Sequence, residues 1–179
     1  MPQPPLDAAK NLFIRRWGEM GASWGISRTM AEIHALLYLS EKPLHAEEIT
    51  DTLSVARSNV SNSLKELQGW GIVKVVHVLG DRRAHYESMT DVWKMFEVIL
   101  DERKKRECDP TLAMLRALTG EAKAAGPKEA HTHKRLREML GFFESMSSWY
   151  AQMRRLPTKS LIKFVKTGDK VRKFLGLAS

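Results

Sequence analysis

The sequence has little cysteine and lacks any long apolar run. Cys108 is the single cysteine of 179 residues, which excludes an internal disulfide framework and fits a reducing cytoplasm. No apolar run approaches the roughly 18 residues that a membrane span needs. The N-terminal residues also lack the apolar core of a secretion signal. We therefore expect a cytoplasmic protein with no membrane partner.

Signatures of catalysis and of metal binding are also missing. The sequence contains no nucleophile elbow, no phosphate-binding loop and no paired-carboxylate motif. His131 and His133 lie two residues apart, so they do not share a helix face, and no cluster of Cys or carboxylates completes a metal site. We therefore expect neither an enzyme nor a bound metal or other cofactor.

The net charge is large but unevenly distributed. The chain has 29 Lys and Arg against 21 Asp and Glu, a formal charge of +8. Residues 1–90 hold 10 basic and 10 acidic residues, which leaves 19 and 11 for residues 91–179. A basic balance permits a polyanionic partner such as nucleic acid. The alternative is a basic surface that only keeps the protein soluble.

Apolar periodicity predicts a mostly α-helical chain with one small β-hairpin. Apolar residues at helical spacing predict helices over 7–20, 28–40, 46–53, 56–69, 91–107, 111–119 and 131–156. Residues 72–78 and 84–89 are rich in strand-forming residues and flank a polar Gly-Asp loop. This pattern predicts a β-hairpin.

Glycine and proline mark the expected breaks between helices. Gly18, Gly21 and Gly25 interrupt the apolar pattern of the first helix. Pro110 is expected to interrupt the helical stretch that follows the hairpin. His45 stands where Ser or Thr would be the ideal cap of the third helix.

The order of elements over residues 28–89 is that of a winged helix-turn-helix: helix, short helix, second helix and hairpin. We divide the chain into an N-terminal helix for packing and dimerisation at 1–27, a winged helix-turn-helix DNA-binding domain at 28–90, and a helical dimerisation region with a basic tail at 91–179.

The helix over 56–69 has the amphipathic pattern of a recognition helix. Val60, Leu64 and Leu67 fall within about 40 degrees of one another on a helical projection, and the opposite face is small, polar and basic. Such a face fits a major groove, where hydrogen bonds read base edges. Together with the hairpin tip, the predicted DNA-binding residues are Arg57, Ser58, Asn59, Ser61, Asn62, Lys65, Asp81, Arg82 and Arg83.

Each of these residue types suits a particular contact. Asn62 is able to pair bidentately with adenine, and Lys65 is able to reach guanine or phosphate. Arg57 and Asn59 lie near the helix N-terminus and suit phosphate contacts. Arginine at a hairpin tip fits a minor groove or its phosphates. The alternative interpretations are a solvated helix face and an ordinary charged turn.

Residues 53–87 (LSVARSNVSNSLKELQGWGIVKVVHVLGDRRAHYE) resemble the winged-helix core of MarR-type transcriptional regulators, and most of all their GbsR-like branch. The matching features are Trp17-Gly18, Trp70-Gly71, Gly80–Arg82 and the later Trp93, Arg103, Glu107 and Pro110. The sequence departs from the branch at Ala56, where Ser is common. We therefore expect Ser54 to cap the recognition helix instead.

This resemblance implies a homodimer that binds a pseudo-palindromic operator in double-stranded DNA, as a repressor under the control of a small-molecule effector. The branch is linked to choline and glycine betaine, and such quaternary ammonium compounds bind in aromatic cages through cation–π attraction. Aromatic residues at helical spacing are more often part of a core. The candidate effector-binding residues are Trp17, Trp24, Tyr38, Trp93 and Phe96.

Apolar residues of the helix over 131–156 recur at heptad spacing, in a stripe too wide for one buried face of a small chain. Pairing of two copies would place two recognition helices one DNA turn apart. The predicted dimerisation residues are Phe13, Trp17, Leu136, Met139, Phe143, Met146, Tyr150 and Met153. An ordinary intramolecular core is the alternative.

The basic tail at 157–179 is interpreted in three ways: as an amphipathic segment that caps the dimer, as an arm on the DNA backbone or as a membrane-surface helix.

A second functional class is a winged helix that serves only for protein interaction or dimerisation. Such a module would present large apolar groups on its outward helix face. Because this face carries Ser, Asn and Lys instead, the sequence favours a DNA-binding regulator.

Overall fold

A computed structural model describes residues 6–121 and 130–167, and the fold is mostly α-helical with one small sheet. The helices are α1 Leu6–Ser23, α2 Arg28–Leu39, α3 Ala46–Leu53, α4 Arg57–Trp70, α5 Val92–Arg103, α6 Asp109–Glu121, α7 Ala130–Arg154 and α8 Thr158–Lys166, and the strands are β1 Leu44–His45, β2 Val73–Val76 and β3 His85–Ser88. Residues 168–179 of the predicted basic tail lie outside the described residues. Within the described ranges, no helix is both long and apolar enough to cross a membrane.

The three strands form an antiparallel sheet in the order β1-β3-β2. The predicted hairpin of β2 and β3 is confirmed, as is the mostly helical fold with a hairpin wing. Strand β1 is not predicted, because a strand of two residues is too short to show an alternating pattern. His85 of β3 lies opposite Val76 on one side and His45 on the other. The sheet therefore ties the start of α3 to the base of the wing.

The chain divides into two compact units, Met1–Ile99 and Leu100–Ser179. The core of the first unit joins α2, α3, α4, β2 and α5. The predicted inward face of α4 is confirmed, because Val60, Leu64 and Leu67 are all at most 1% exposed. Burial of this apolar stripe fixes which face of α4 remains in solvent.

Helix α1 packs against α2 and does not end where its glycines predicted. It runs through Gly18 and Gly21 to Ser23, so the expected break at these glycines is wrong. A Cβ atom at Gly21 would lie only 2.6 Å from the Cβ of Ala31 on α2. The glycine therefore permits the close approach of two helices.

The caps around α3 and α4 also differ from expectation. The Glu48 backbone N–H donates to His45 Nδ1 (3.4 Å), and the His45 N–H donates to the Glu48 carboxylate (2.8 Å), so histidine serves in a capping box. Ser54 does not cap α4. It ends α3 with a left-handed backbone (φ 52°), and Ala56 stands at the N-cap of α4 without a side-chain bond.

In the second unit, the expected interruption at Pro110 is wrong. A π-helical turn, Lys104–Cys108, connects α5 to α6, and Pro110 lies in the first turn of α6. Proline removes one helical hydrogen bond, and the π turn accommodates this loss without ending the helical path. Helix α7 packs on α6, where Arg116 pairs with Glu144 at 3.0 Å.

Candidate nucleic-acid interface

The outward face of α4 presents its polar side chains to solvent. The predicted contact residues of this helix are all exposed: Arg57, Ser58, Asn59, Ser61, Asn62 and Lys65. Within the part of the chain that the structure describes, only Arg57 among them uses its side chain in an internal bond. The amide of Asn62 and the ammonium of Lys65 therefore keep their full hydrogen-bonding capacity for a partner.

One carboxylate lies between the start of α4 and the wing. Arg57 Nη1 lies 3.2 Å from Glu47 Oε1, and Arg83 Nη1 lies 3.5 Å from Glu47 Oε2. Glu47 belongs to α3, so a helix that contributes no predicted contact holds two predicted phosphate-binding side chains. Glu47 is not among the residues predicted from the sequence, and no local pattern marks it, because Arg83 is 36 positions away along the chain.

The wing is the loop between β2 and β3, and its conformation is set by Gly80 and Asp81. Gly80 has φ +87°, a left-handed conformation that favours glycine. Asp81 accepts hydrogen bonds from the Arg83 backbone N–H and from Arg83 Nε, both at 2.9 Å. These bonds hold the pKa of Asp81 well below its usual range and raise the pKa of Arg83. Asp81 thus orients Arg83 and stays ionised.

Arg82 and Arg83 differ in whether their side chains are held by ion pairs. Arg83 is held by Asp81 and Glu47. Arg82 is exposed and has no ion-pair partner in the described ranges. The wing therefore combines one fixed guanidinium with one that is free to meet phosphate or a groove.

Two buried histidines lie beneath this charged surface. The rings of His45 and His85 meet edge to face with centroids 5.5 Å apart. His85 Nδ1 lies 3.0 Å from the Arg83 carbonyl oxygen, and its Nε2 lies 3.6 Å from Asp81 Oδ2. This pair supports the base of the wing, and sequence reasoning identified only the capping position of His45.

The structure brings together three of the five candidate effector-binding residues. Trp17, Trp24 and Phe96 line one cavity of about 260 Å³ in the first unit. Tyr38 and Trp93 are not among the residues that line it.

The predicted dimerisation residues of α7 differ in their exposure. Four are half-buried within the second unit: Leu136, Phe143, Tyr150 and Met153. Tyr150 also donates a hydrogen bond to Asp101. Met139 and Met146 are exposed, together with Phe142 and Trp149 on the same side of the helix. On α1, Phe13 and Trp17 stack on each other with centroids 5.4 Å apart.

Similarity to known proteins agrees with this geometry. Residues 24–84, which span the helix-turn-helix and most of the wing, match the family model described as the MarR family. Over 170 residues the chain is 20% identical to YvaV of Bacillus subtilis (strain 168), described as a putative HTH-type transcriptional regulator, with coverage of 94% of this chain and 93% of that one.

A solved structure described as a transcriptional regulator has the same fold. It matches 88% of this chain and 99% of its own length, with a TM-score of 0.62 and 18% sequence identity. The exposed polar face of α4, the arginine-bearing wing and these similarities lead to one conclusion. Residues 24–84 form a winged helix similar to that of the MarR family, and most of the chain is similar to proteins described as transcriptional regulators.

Proposed function

We propose that the protein is a repressor that binds a pseudo-palindromic operator as a homodimer in the cytoplasm, with α4 in the major groove and the wing at the flanking minor groove. The observation that carries this proposal is the outward face of α4, whose polar side chains are exposed and mostly free of internal bonds. A dimer bound over a promoter excludes polymerase by steric overlap alone, so repression requires no further contact surface.

Base readout is assigned to the centre of the α4 face. Asn62 offers an amide donor and acceptor that match the N6 and N7 atoms of adenine, a pairing with about 1–3 kcal/mol of discrimination. Lys65 lies one turn further along and reaches guanine or phosphate. Ser58 and Ser61 are small, so they allow the helix to enter the groove closely.

The N-terminus of α4 is assigned to a phosphate. Ala56 supplies no side-chain cap, so the first backbone N–H groups of α4 are open to an anion. Arg57 stands beside them with an exposed guanidinium. Because Ala56 has no capping side chain, the N-terminus of α4 remains open to an anion.

The homodimer is supported by the apolar residues that α7 leaves in solvent. Met139, Phe142, Met146 and Trp149 follow heptad spacing and are each 45% to 59% exposed. Among the described side chains of the second unit, only Leu112 and Leu115 are buried. So small a core needs additional apolar burial to be stable. We assign this burial to the same stripe of a second copy, which gives a two-fold interface.

Membership of the GbsR-like branch is proposed on its signature positions. At Gly18, an added Cβ would lie 2.5 Å from Cγ of the Glu32 side chain, which would have to move. Gly71 and Gly80 both have positive φ, at +77° and +87°. The left-handed backbone of Gly71 and Gly80, which favours glycine, supports the resemblance.

Equilibrium binding to DNA tests the proposed function. Fluorescence anisotropy compares the full chain on a labelled duplex from its own upstream region with a scrambled duplex of equal composition, over a series of salt concentrations. We expect tighter binding to the upstream duplex and a loss of affinity with a log–log slope of about 0.9 for each phosphate neutralised. Equal affinity for both duplexes, or binding insensitive to salt, would support an interaction module instead.

A further inference from the structure

The tip of the wing carries a leucine that no other part of the described chain covers. Leu79 is 103% exposed, whereas no other large hydrophobic residue in the described ranges is more than 59% exposed. Turns of this kind usually hold Gly, Pro, Asn, Asp or Ser, because these residues suit the backbone of a turn. A leucine in full contact with water gains the most from a partner that buries it.

The turn around Leu79 is held by backbone and side-chain bonds. The Asp81 backbone N–H donates to the Val78 carbonyl oxygen at 3.1 Å, which closes the turn. Gly80 is the third residue of this turn and has φ +87°, a value typical of a type II turn. The carboxylate of Asp81 also anchors Arg83. Because the turn is already ordered, Leu79 is presented at a fixed corner of the wing, and a partner that buries it pays little for ordering the backbone.

The charges beside Leu79 indicate the chemistry of that partner. Arg82 is exposed and has no ion-pair partner in the described ranges. Asp81 is the one acidic residue of the segment 77–84. An apolar side chain next to a free guanidinium matches a nucleic-acid groove, where base steps lie between two rows of phosphates. A lipid surface is a poor match, because stable membrane anchoring needs far more apolar area than one leucine offers.

We propose that Leu79 is an apolar wedge, which enters a base step from the minor groove and kinks the duplex. The inference rests on the proposed function, in which the wing lies at the minor groove that flanks α4. Proteins that bend DNA from the minor groove insert side chains such as leucine between base pairs, with kinks of about 20–90°. Insertion costs the stacking of one step, and burial of the leucine side chain offsets this cost.

The wedge gives the protein a sequence preference that needs no hydrogen bond to a base. Pyrimidine–purine steps such as TA and CA/TG unstack most easily, so insertion costs least there. Leu79 therefore favours operators with such a step under the wing, while Asn62 reads base edges in the major groove. Each of these steps contains a thymine, and an unstacked thymine is open to oxidation by permanganate.

Permanganate reactivity and duplex bending test the wedge on the labelled upstream duplex bound by the full chain. We expect the wild type to raise the reactivity of thymines at the flanks of the bound site by about threefold or more, and Leu79→Ala to abolish this increase. Leu79→Met keeps an apolar wedge and should preserve it. Energy transfer between dyes at the two duplex ends should report a kink with the wild type and L79M, and a straighter duplex with L79A. Leu12→Ala removes an exposed leucine of α1 and should match the wild type.

The salt dependence of binding separates a wedge from a phosphate contact. Because Leu79 has no charge, L79A should bind about three- to tenfold more weakly, with an unchanged log–log slope of affinity against salt. The side chain is fully exposed, so its replacement leaves the fold intact, as checked by circular dichroism.

Equal reactivity and equal bending by the wild type and L79A, with both bound to the upstream duplex, would overturn the wedge and leave the proposed function standing. A wild type that binds no duplex would overturn both. An altered oligomeric state of L79A in sedimentation equilibrium, with bending unchanged, would assign Leu79 to a protein contact and refute the wedge.

Discussion

Arg57 Nη1 lies 3.2 Å from Glu47 Oε1, so the first residue of the recognition helix is ion-paired to the helix that precedes it. Both side chains are largely exposed, and an exposed pair of this kind contributes at most about 1 kcal/mol to folding. Arg83 shares the same carboxylate. We therefore expect Glu47 to compete with phosphate for both arginines while it contributes little to the stability of the fold.

Replacement of Glu47 by Gln should tighten DNA binding. The substitution preserves size and removes one negative charge beside two guanidinium groups. We expect about three- to tenfold higher affinity for any duplex at about 50 mM salt, with the gain reduced at about 200 mM because salt screens the charge. Fluorescence anisotropy measures the affinity of wild type and variant for the duplex at both salt concentrations. Glu41→Gln is the matched control, because Glu41 is an exposed carboxylate that neighbours none of the predicted DNA contacts in sequence. Weaker binding by E47Q would mean that Glu47 positions the arginines instead.

Removal of Arg82 should reduce the salt dependence of binding. Arg82 has no ion-pair partner in the described part of the chain, so its charge is available to phosphate. In Arg82→Ala, the log–log slope of affinity against salt should fall by about 0.9 on every duplex. Lys42→Ala removes a charge that is not among the predicted DNA contacts, and should leave the slope unchanged. An unchanged slope in R82A would exclude a phosphate contact of this side chain.

A charge on the exposed stripe of α7 should prevent dimerisation. Trp149 is 50% exposed within one copy, so Trp149→Glu leaves the protomer intact and places a carboxylate in the proposed interface. Sedimentation equilibrium should give a dimer for the wild type and a monomer for the variant. Ala151→Glu adds the same charge to an exposed position away from the stripe and should remain dimeric. A dimeric W149E would place the interface elsewhere.

The buried His34 should make folding sensitive to acid. Its pKa falls from 6.5 to about 4 on folding because the ring is buried. Between these values the unfolded chain binds a proton that the folded chain does not. Stability is therefore lost as pH falls from 6.5 towards 4, by about 3 kcal/mol for this group.

Urea unfolding at about pH 7 and about pH 4 measures this loss. His34→Gln has no titrating group, so its free energy of unfolding should fall less over the same interval, by about 3 kcal/mol. Other histidines and carboxylates titrate equally in both proteins and cancel in the comparison. An equal fall in both proteins would contradict the low pKa of His34.

Local periodicity was sufficient to predict α4, because the burial of Val60, Leu64 and Leu67 follows from their spacing. It also predicted the hairpin, since strand residues and a turn are adjacent in sequence. The predicted helix break at Gly21 was wrong because this glycine permits a close contact with Ala31 on another helix. Sequence alone signals a flexible position and not the approach of two helices.

The parts that could not be predicted depend on contacts between distant segments. The bridge from Glu47 to Arg83 requires α3 and the wing to be neighbours in space. The cavity exists because α1 and α5 both approach the end of α4. The packing of α1 on α2 brings Trp17 to His34, and no spacing rule connects residues on separate helices.

Asn62→Ala tests most directly whether the α4 face reads base sequence. Anisotropy compares wild type, N62A and the exposed-surface control Asn11→Ala on the upstream duplex and on its scrambled counterpart. We predict that N62A loses about 1–3 kcal/mol of binding to the upstream duplex only, while N11A matches the wild type on both. An equal loss on both duplexes, or no loss on either, would contradict base readout by Asn62.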